Sequence, residues 1–101
     1  MNYKQLSLRK QLANREWLFL DGAMGTMLQP YLRLGDRPEA LSLNNPQLIA
    51  DIHRQYLESG AQVIYANTFG ANAHKLMGTG LNTEQVIAAS VAAAKDAAAP
   101  Y

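Results

Sequence analysis

Residues 17–28 read WLFLDGAMGTML, and this stretch decides the fold. Four large apolar residues in a row, closed by Asp21 and Gly22, are typical of a strand that is buried on both faces and ends abruptly. Gly22 and Gly25 allow a tight turn and a close approach of the backbone to a neighbour. Parallel α/β proteins carry their ligand sites at the carboxyl ends of strands, so Asp21 is a candidate functional residue. On this stretch alone, a plain turn at Asp21 is an equally good interpretation.

The same pattern returns at residues 60–72, GAQVIYANTFGAN. A short β-prone run ends in Asn67 and Thr68, and glycine follows. Two such strands, each followed by a helical pattern, indicate a repeated βα unit. This recurrence favours the functional interpretation of Asp21.

Composition excludes several classes of function. The chain has 101 residues, a formal net charge of +1 and no cysteine. Scattered basic residues give no indication of nucleic acid or an anionic membrane as a partner. No apolar run approaches the roughly 20 residues of a membrane span, and no signal-peptide pattern follows the polar amino terminus, so we expect a cytoplasmic protein. Without cysteine, and with only His53 and His74, we expect no tightly bound metal in this chain.

Helical segments are predicted around the two strands. Residues 3–15 form a surface helix with a narrow apolar stripe. Residues 26–29 begin a short helix that Pro30 interrupts, and residues 31–43 form an ordered loop across the strand ends. Residues 71–77 form one or two helical turns. The Gly-Thr-Gly at residues 78–80 is interpreted as a plain loop, since no Lys-Ser/Thr follows it and no strand precedes it.

Two longer helices carry clear start signals. Asn45 at the N-cap and Pro46 at the first position predict a helix over residues 46–59, which Gly60 ends. Asn82 and Thr83 begin another helix, which runs to about Ala98. His53 lies beside the apolar face of the first of these helices, and we interpret it as a partly buried structural histidine rather than a ligand.

This order of elements predicts an incomplete barrel. Two parallel strands make a poor sheet because their outer edges are unpaired, and a full (β/α)₈ barrel needs roughly 250 residues. The expected fold class is α/β: the N-terminal portion of a (β/α)₈ TIM barrel, with about two βα units and a leading helix. We expect residues 1–101 to be an incomplete domain that ends where a third strand should begin.

Three motifs carry a resemblance to a known family. LDGAMGT at residues 20–26, NP at residues 45–46 with YLESGA at residues 56–61, and NTFGAN at residues 67–72 resemble the homocysteine S-methyltransferase family. Within it, the likeness is to the amino-terminal, homocysteine-binding barrel of methionine synthases, and it covers nearly the whole chain. The resemblance implies a (β/α)₈ barrel that methylates the thiol of homocysteine to give methionine.

The resemblance also implies a cofactor. In the family a zinc ion held by three cysteines binds the thiol, and zinc lowers the pKa of a thiol so that the thiolate exists at neutral pH. Those cysteines come from later strands, beyond residue 101, so we expect the fragment alone to be inactive. The methyl donor stays open, since methylcobalamin with methyltetrahydrofolate, betaine and S-methylmethionine all serve in related families.

The amino-acid end of the site is what the resemblance places in this chain. Asp21, Gly22 and Ala23 match the family's first-strand loop, which lies against the backbone of homocysteine. N–H groups of Gly22 and Ala23 could hold the carboxylate, and Asp21 could orient the ammonium or a neighbouring loop. Asn67 and Thr68 match the second-strand motif and are expected to line the same mouth. Alternatively they only pin the strand ends by hydrogen bonds, an interpretation slightly favoured for Thr68.

Two positions depart from the family's commoner pattern. Ala66 stands where threonine is frequent, which removes a hydroxyl near the site. Gln62 stands where aspartate is frequent, at the other end of the strand.

Two other classes of function stay open. One is a non-catalytic βα module that self-associates through open strand edges. The other is a different TIM-barrel enzyme that uses Asp21 with a phosphorylated substrate, although no lysine or arginine closely follows the first loop. In an isolated chain Leu18, Leu20, Ile64 or their alternating neighbours would meet water, so we expect self-association.

Overall fold

The computed structural model describes residues 8–14 and 17–101. The helices run α1 (Leu8–Asn14), α2 (Met24–Leu28), α3 (Leu41–Asn44), α4 (Pro46–Glu58) and α5 (Thr83–Ala98), with 3₁₀ turns at Gln29–Tyr31 and Pro38–Ala40. The predicted helix at residues 3–15 is confirmed over Leu8–Asn14. Its residues 3–7 and 15 lie outside the described residues.

The long helices α4 and α5 begin with the predicted caps. The Asn45 side chain accepts the Leu48 N–H at 3.3 Å, and the Asn82 side chain accepts the Gln85 N–H at 3.0 Å, so each cap pairs one amide of a first turn. Gly60 ends α4 with a φ of 113°, which a residue without a Cβ adopts readily.

One prediction for the connecting segments needs correction. Residues 31–43 are not a continuous loop, because the 3₁₀ turn Pro38–Ala40 and helix α3 occupy its second half. Pro38 at the first turn favours this start, since its fixed φ suits a helical turn and its missing N–H would be unpaired there. Residues 71–77 contain a helical turn, as predicted, because the Leu76 N–H donates to the Asn72 carbonyl at 3.0 Å.

The two predicted strands pair at one point. In the described part of the chain, β pairing is a single parallel bridge between Leu20 and Val63. Beside it, the Gln62 N–H donates to the Phe19 carbonyl at 2.7 Å, and the Gln62 side-chain oxygen accepts the Phe19 N–H at 2.9 Å. The prediction of two regular strands is therefore wrong for this structure. Each segment has one neighbouring segment at most, which is too little for a regular ladder.

Burial of the first segment also differs from the prediction. Trp17, Phe19 and Leu20 are 63%, 58% and 51% exposed, so this segment is not buried on both faces. Among the described residues, no second layer covers these side chains. Of the three side chains expected to meet water, Leu20 is exposed, whereas Leu18 and Ile64 are partly buried.

The hydrophobic core lies between α2, α4 and α5. It is built from Leu28, Ile49, Ile52 and Ala93, all at most 5% exposed. The buried residues of α5 are mostly small, which allows close approach to α4; they are Val86, Ser90, Ala93 and Ala97. No helix in the described part of the chain is long and apolar enough to cross a membrane.

Candidate functional site

Asp21 stands where the two β segments meet. Its N–H donates to the Val63 carbonyl at 2.9 Å, and its carboxylate Oδ2 accepts the Tyr65 N–H at 3.0 Å. The side chain thus extends the parallel pairing by one hydrogen bond in which the acceptor is charged. Asp21 is half-buried and carries its charge at the carboxyl end of the first segment.

Gly22 and Ala23 continue this segment as an exposed loop that contacts α4. The Tyr56 hydroxyl donates to the Ala23 carbonyl at 2.7 Å. A Cβ at position 22 would lie 3.0 Å from both Cε1 and Oη of Tyr56, so a larger residue there would require the tyrosine ring to move by a few tenths of an ångström. Sequence analysis did not identify the polar contact of Tyr56 with the loop. A tyrosine on a core-facing stripe is a signal of such a contact, since a buried hydroxyl usually has a partner.

His53 lies one helical turn before Tyr56 and is fully buried. Neither ring nitrogen has a hydrogen-bond partner in the structure. Burial lowers the pKa of His53 below its ordinary value of 6.5, and the negative charge of Asp21 raises it by a smaller amount. Burial thus favours the neutral imidazole, and His53 is fully rather than partly buried.

Asn67 belongs to a buried polar network. It is 5% exposed, and its Nδ2 donates to the Pro38 carbonyl at 3.0 Å and to the Ser42 hydroxyl at 3.1 Å. The Ser90 hydroxyl donates to the Asn67 carbonyl at 2.9 Å and lies 2.7 Å from the Ser42 oxygen. These bonds hold the NTF motif against α3 and α5. Sequence analysis missed Ser42 and Ser90, although a serine on the otherwise apolar stripe of α5 indicates a buried hydrogen bond.

Thr68 and Gly70 follow in a tight turn. The Thr68 N–H donates to the Ala66 carbonyl at 2.8 Å, and the Thr68 carbonyl accepts the Ala71 N–H at 3.0 Å. The carboxylate of Glu39, which is 6% exposed, occupies the space that a Cβ at Gly70 would need. The turn therefore brings a buried acidic residue of the 3₁₀ turn Pro38–Ala40 against the second motif.

The parallel bridge relates the two motifs to each other. Asp21 comes one residue after the bridge, and Asn67 comes four residues after it on the other segment. Because the pairing is parallel, both residues lie beyond the carboxyl side of the bridge. The substrate-binding role of the five candidate residues stays a prediction: Asp21, Gly22, Ala23, Asn67 and Thr68.

The donor atoms of this chain do not fit the zinc ion that the family resemblance implies. Among residues 8–14 and 17–101, no three His, Asp or Glu side chains are grouped to hold a metal. The chain contains no cysteine. A zinc site of three thiolates needs donors from outside these 101 residues.

Comparison with known proteins identifies the class. The profile of the family described as Homocysteine S-methyltransferase matches residues 18–101. Methionine synthases of Mycobacterium leprae and Mycobacterium tuberculosis are each 40% identical over 63 residues, which is 55% of this chain and 5% of each synthase. The crystal structure of the oxidized homocysteine methyltransferase MmuM from Escherichia coli matches with a TM-score of 0.80 and 31% identity.

The family match and the structural match agree with each other. The chain belongs to the homocysteine S-methyltransferase family, which confirms the resemblance found in its motifs. The structural match covers 99% of this chain and 35% of the E. coli enzyme. The chain therefore spans about a third of that solved relative and a much smaller share of the methionine synthases.

Proposed function

We propose that this chain is the part of a homocysteine S-methyltransferase that carries the amino-acid-binding loops after the first two β segments of a TIM barrel. The observation that carries the proposal is the family match over residues 18–101, which contains the motifs after both β segments, LDGAMGT and NTFGAN. Methyl transfer to the homocysteine thiol, giving methionine, is then the activity of the longer protein.

The amino-acid end of homocysteine is the part that these loops suit. It carries an ammonium and a carboxylate, and a carboxylate side chain beside exposed backbone N–H groups complements both. Asp21 supplies the negative charge, and Gly22 and Ala23 are exposed at the surface. The buried hydrogen bonds of Asn67 hold the second motif in place, which suits a supporting role for that residue at the mouth.

The thiol end requires groups that this chain lacks. A zinc-bound thiolate is the nucleophile in the proposed reaction, and its cysteine donors belong to the remainder of the barrel. We therefore expect the 101-residue chain alone to bind no zinc and to transfer no methyl group. The methyl donor belongs to that remainder as well.

The exposed apolar side chains support a barrel that continues. Trp17, Phe19 and Tyr65 are 63%, 58% and 64% exposed along the paired segments. In soluble proteins, large exposed apolar surfaces often mark sites of interaction. The proposed partner is the remaining part of the barrel, and in its absence a second copy of the chain.

A titration of the ¹⁵N-labelled chain with L-homocysteine tests the substrate-binding role. We expect shifts of the Gly22, Ala23 and Thr68 amide signals, a smaller response to 4-mercaptobutyrate because it lacks the ammonium, and a weaker response to homocysteine in Asp21→Asn. Shifts at other positions only, or equal responses to both thiols, would contradict the proposal. Methionine formation from homocysteine and S-methylmethionine by the chain alone would contradict its expected inactivity.

A further inference from the structure

We propose that Tyr56 is the positioning residue of the substrate loop at residues 21–23, an inference that rests on the function proposed above. The loop is held from two sides. At its start, Asp21 is bonded to Val63 and Tyr65 through its N–H and its carboxylate. At its end, the Ala23 carbonyl accepts the Tyr56 hydroxyl at 2.7 Å.

The hydrogen bond from Tyr56 sets the direction of a peptide group. A trans peptide is planar, so fixing the Ala23 carbonyl also fixes the plane of the peptide that joins Ala23 to Met24. Tyr56 is well placed to do so, because its ring is half-buried and packs against the core of Leu28, Ile49 and Ile52. The Tyr56 hydroxyl thus connects the exposed loop to the hydrophobic core.

The ring of Tyr56 also explains the glycine at position 22. Gly22 is not among the glycines with positive φ, so its backbone conformation is open to other residues. The space is tight, because a Cβ would approach Cε1 and Oη of Tyr56 to 3.0 Å and the ring would have to move to accept it. The lack of a side chain at Gly22 therefore allows the loop to contact the Tyr56 ring of α4.

Contact between Gly22 and Tyr56 reduces the conformational entropy that the loop loses when a ligand binds. A loop whose N–H groups already point in fixed directions loses less conformational freedom when it receives a carboxylate. Tyr56 thus acts on substrate affinity through the loop and makes no contact with substrate itself.

Hydrogen exchange of the ¹⁵N-labelled chain tests this role. In Tyr56→Phe, which keeps the ring, we expect the hydrogen-bonded amides at the start of the loop, those of Asp21 and Tyr65, to exchange about fivefold faster, while the amides of α5 keep their rates. Tyr31→Phe is the matched control, because that tyrosine is 59% exposed on a 3₁₀ turn. Unchanged exchange in the loop, or an equal acceleration throughout α5, would overturn the proposal.

A double-mutant cycle tests the pairing of Gly22 with Tyr56. Gly22→Ala should accelerate loop exchange in the wild-type background and have little further effect when Tyr56→Ala has removed the ring. Additive effects of the two substitutions would contradict the pairing. Homocysteine titration of the same variants separates the two proposals: absence of binding by the wild-type chain counts against the substrate role, while the exchange data still decide the role of Tyr56.

Discussion

Replacement of Ser90 by alanine tests the network that holds the second motif. The Ser90 hydroxyl is fully buried, donates to the Asn67 carbonyl at 2.9 Å and lies 2.7 Å from the Ser42 oxygen. Ser90→Ala removes few atoms and leaves the Asn67 carbonyl without this donor. A buried polar group that loses its partner costs about 1–3 kcal/mol. We take about 2 kcal/mol as the expected loss in the free energy of unfolding.

Thermal unfolding followed by far-UV circular dichroism measures this loss. In a domain of this size, about 2 kcal/mol corresponds to a fall in Tm of about 8–16 °C. Ser59→Ala is the matched control, because the Ser59 hydroxyl donates to the Gln55 carbonyl of its own helix on an exposed surface. We expect that control to change the free energy by less than about 0.5 kcal/mol. If Ser90→Ala costs no more than Ser59→Ala, the buried network does not stabilise the fold as argued.

Three further outcomes follow from the described contacts. Gly70→Ala should destabilise the chain, because the new Cβ meets the buried carboxylate of Glu39; chemical denaturation measures the loss. Stability should decline as the pH falls from 7 to 5, since burial lowers the pKa of His53 below its unfolded value and the unfolded state binds the proton first; His53→Phe should flatten this slope. Phe19→Lys should reduce self-association, measured by sedimentation at micromolar concentration, because Phe19 is a large apolar residue of the first paired segment and is 58% exposed.

Each of these outcomes has a matched control in the chain. Gly25→Ala should be tolerated, since no atom lies within 4 Å of the Cβ that it would add. His74→Phe is the control for His53→Phe, because it makes the same replacement at an exposed position. Leu34→Lys should leave self-association unchanged, because Leu34 lies in a separate turn. Equal effects of a test variant and its control would contradict the corresponding prediction, and a monomer with cooperative unfolding would contradict self-association itself.

Local signals in the sequence were sufficient for the long helices and for the family. The caps Asn45 and Asn82, and Gly60 after α4, act within one helical turn, so they are recognisable without tertiary structure. The three motifs that carry the family resemblance are likewise short stretches of sequence, and the match over residues 18–101 confirms the resemblance.

Tertiary structure decided what the β-prone segments and the site residues do. Residues 17–20 have strand propensity, but a strand forms only where neighbouring segments accept and donate its backbone hydrogen bonds. In the described part of the chain, this segment has a single bridge, to Val63. The partners of Asn67 are 25 and 23 residues away at Ser42 and Ser90, and Tyr56 is 33 residues from Ala23. No local pattern specifies which of two distant polar groups will meet, because that depends on how α4 and α5 pack. The sequence determined the candidate residues of the loop, while packing determined that a tyrosine on the core side holds it.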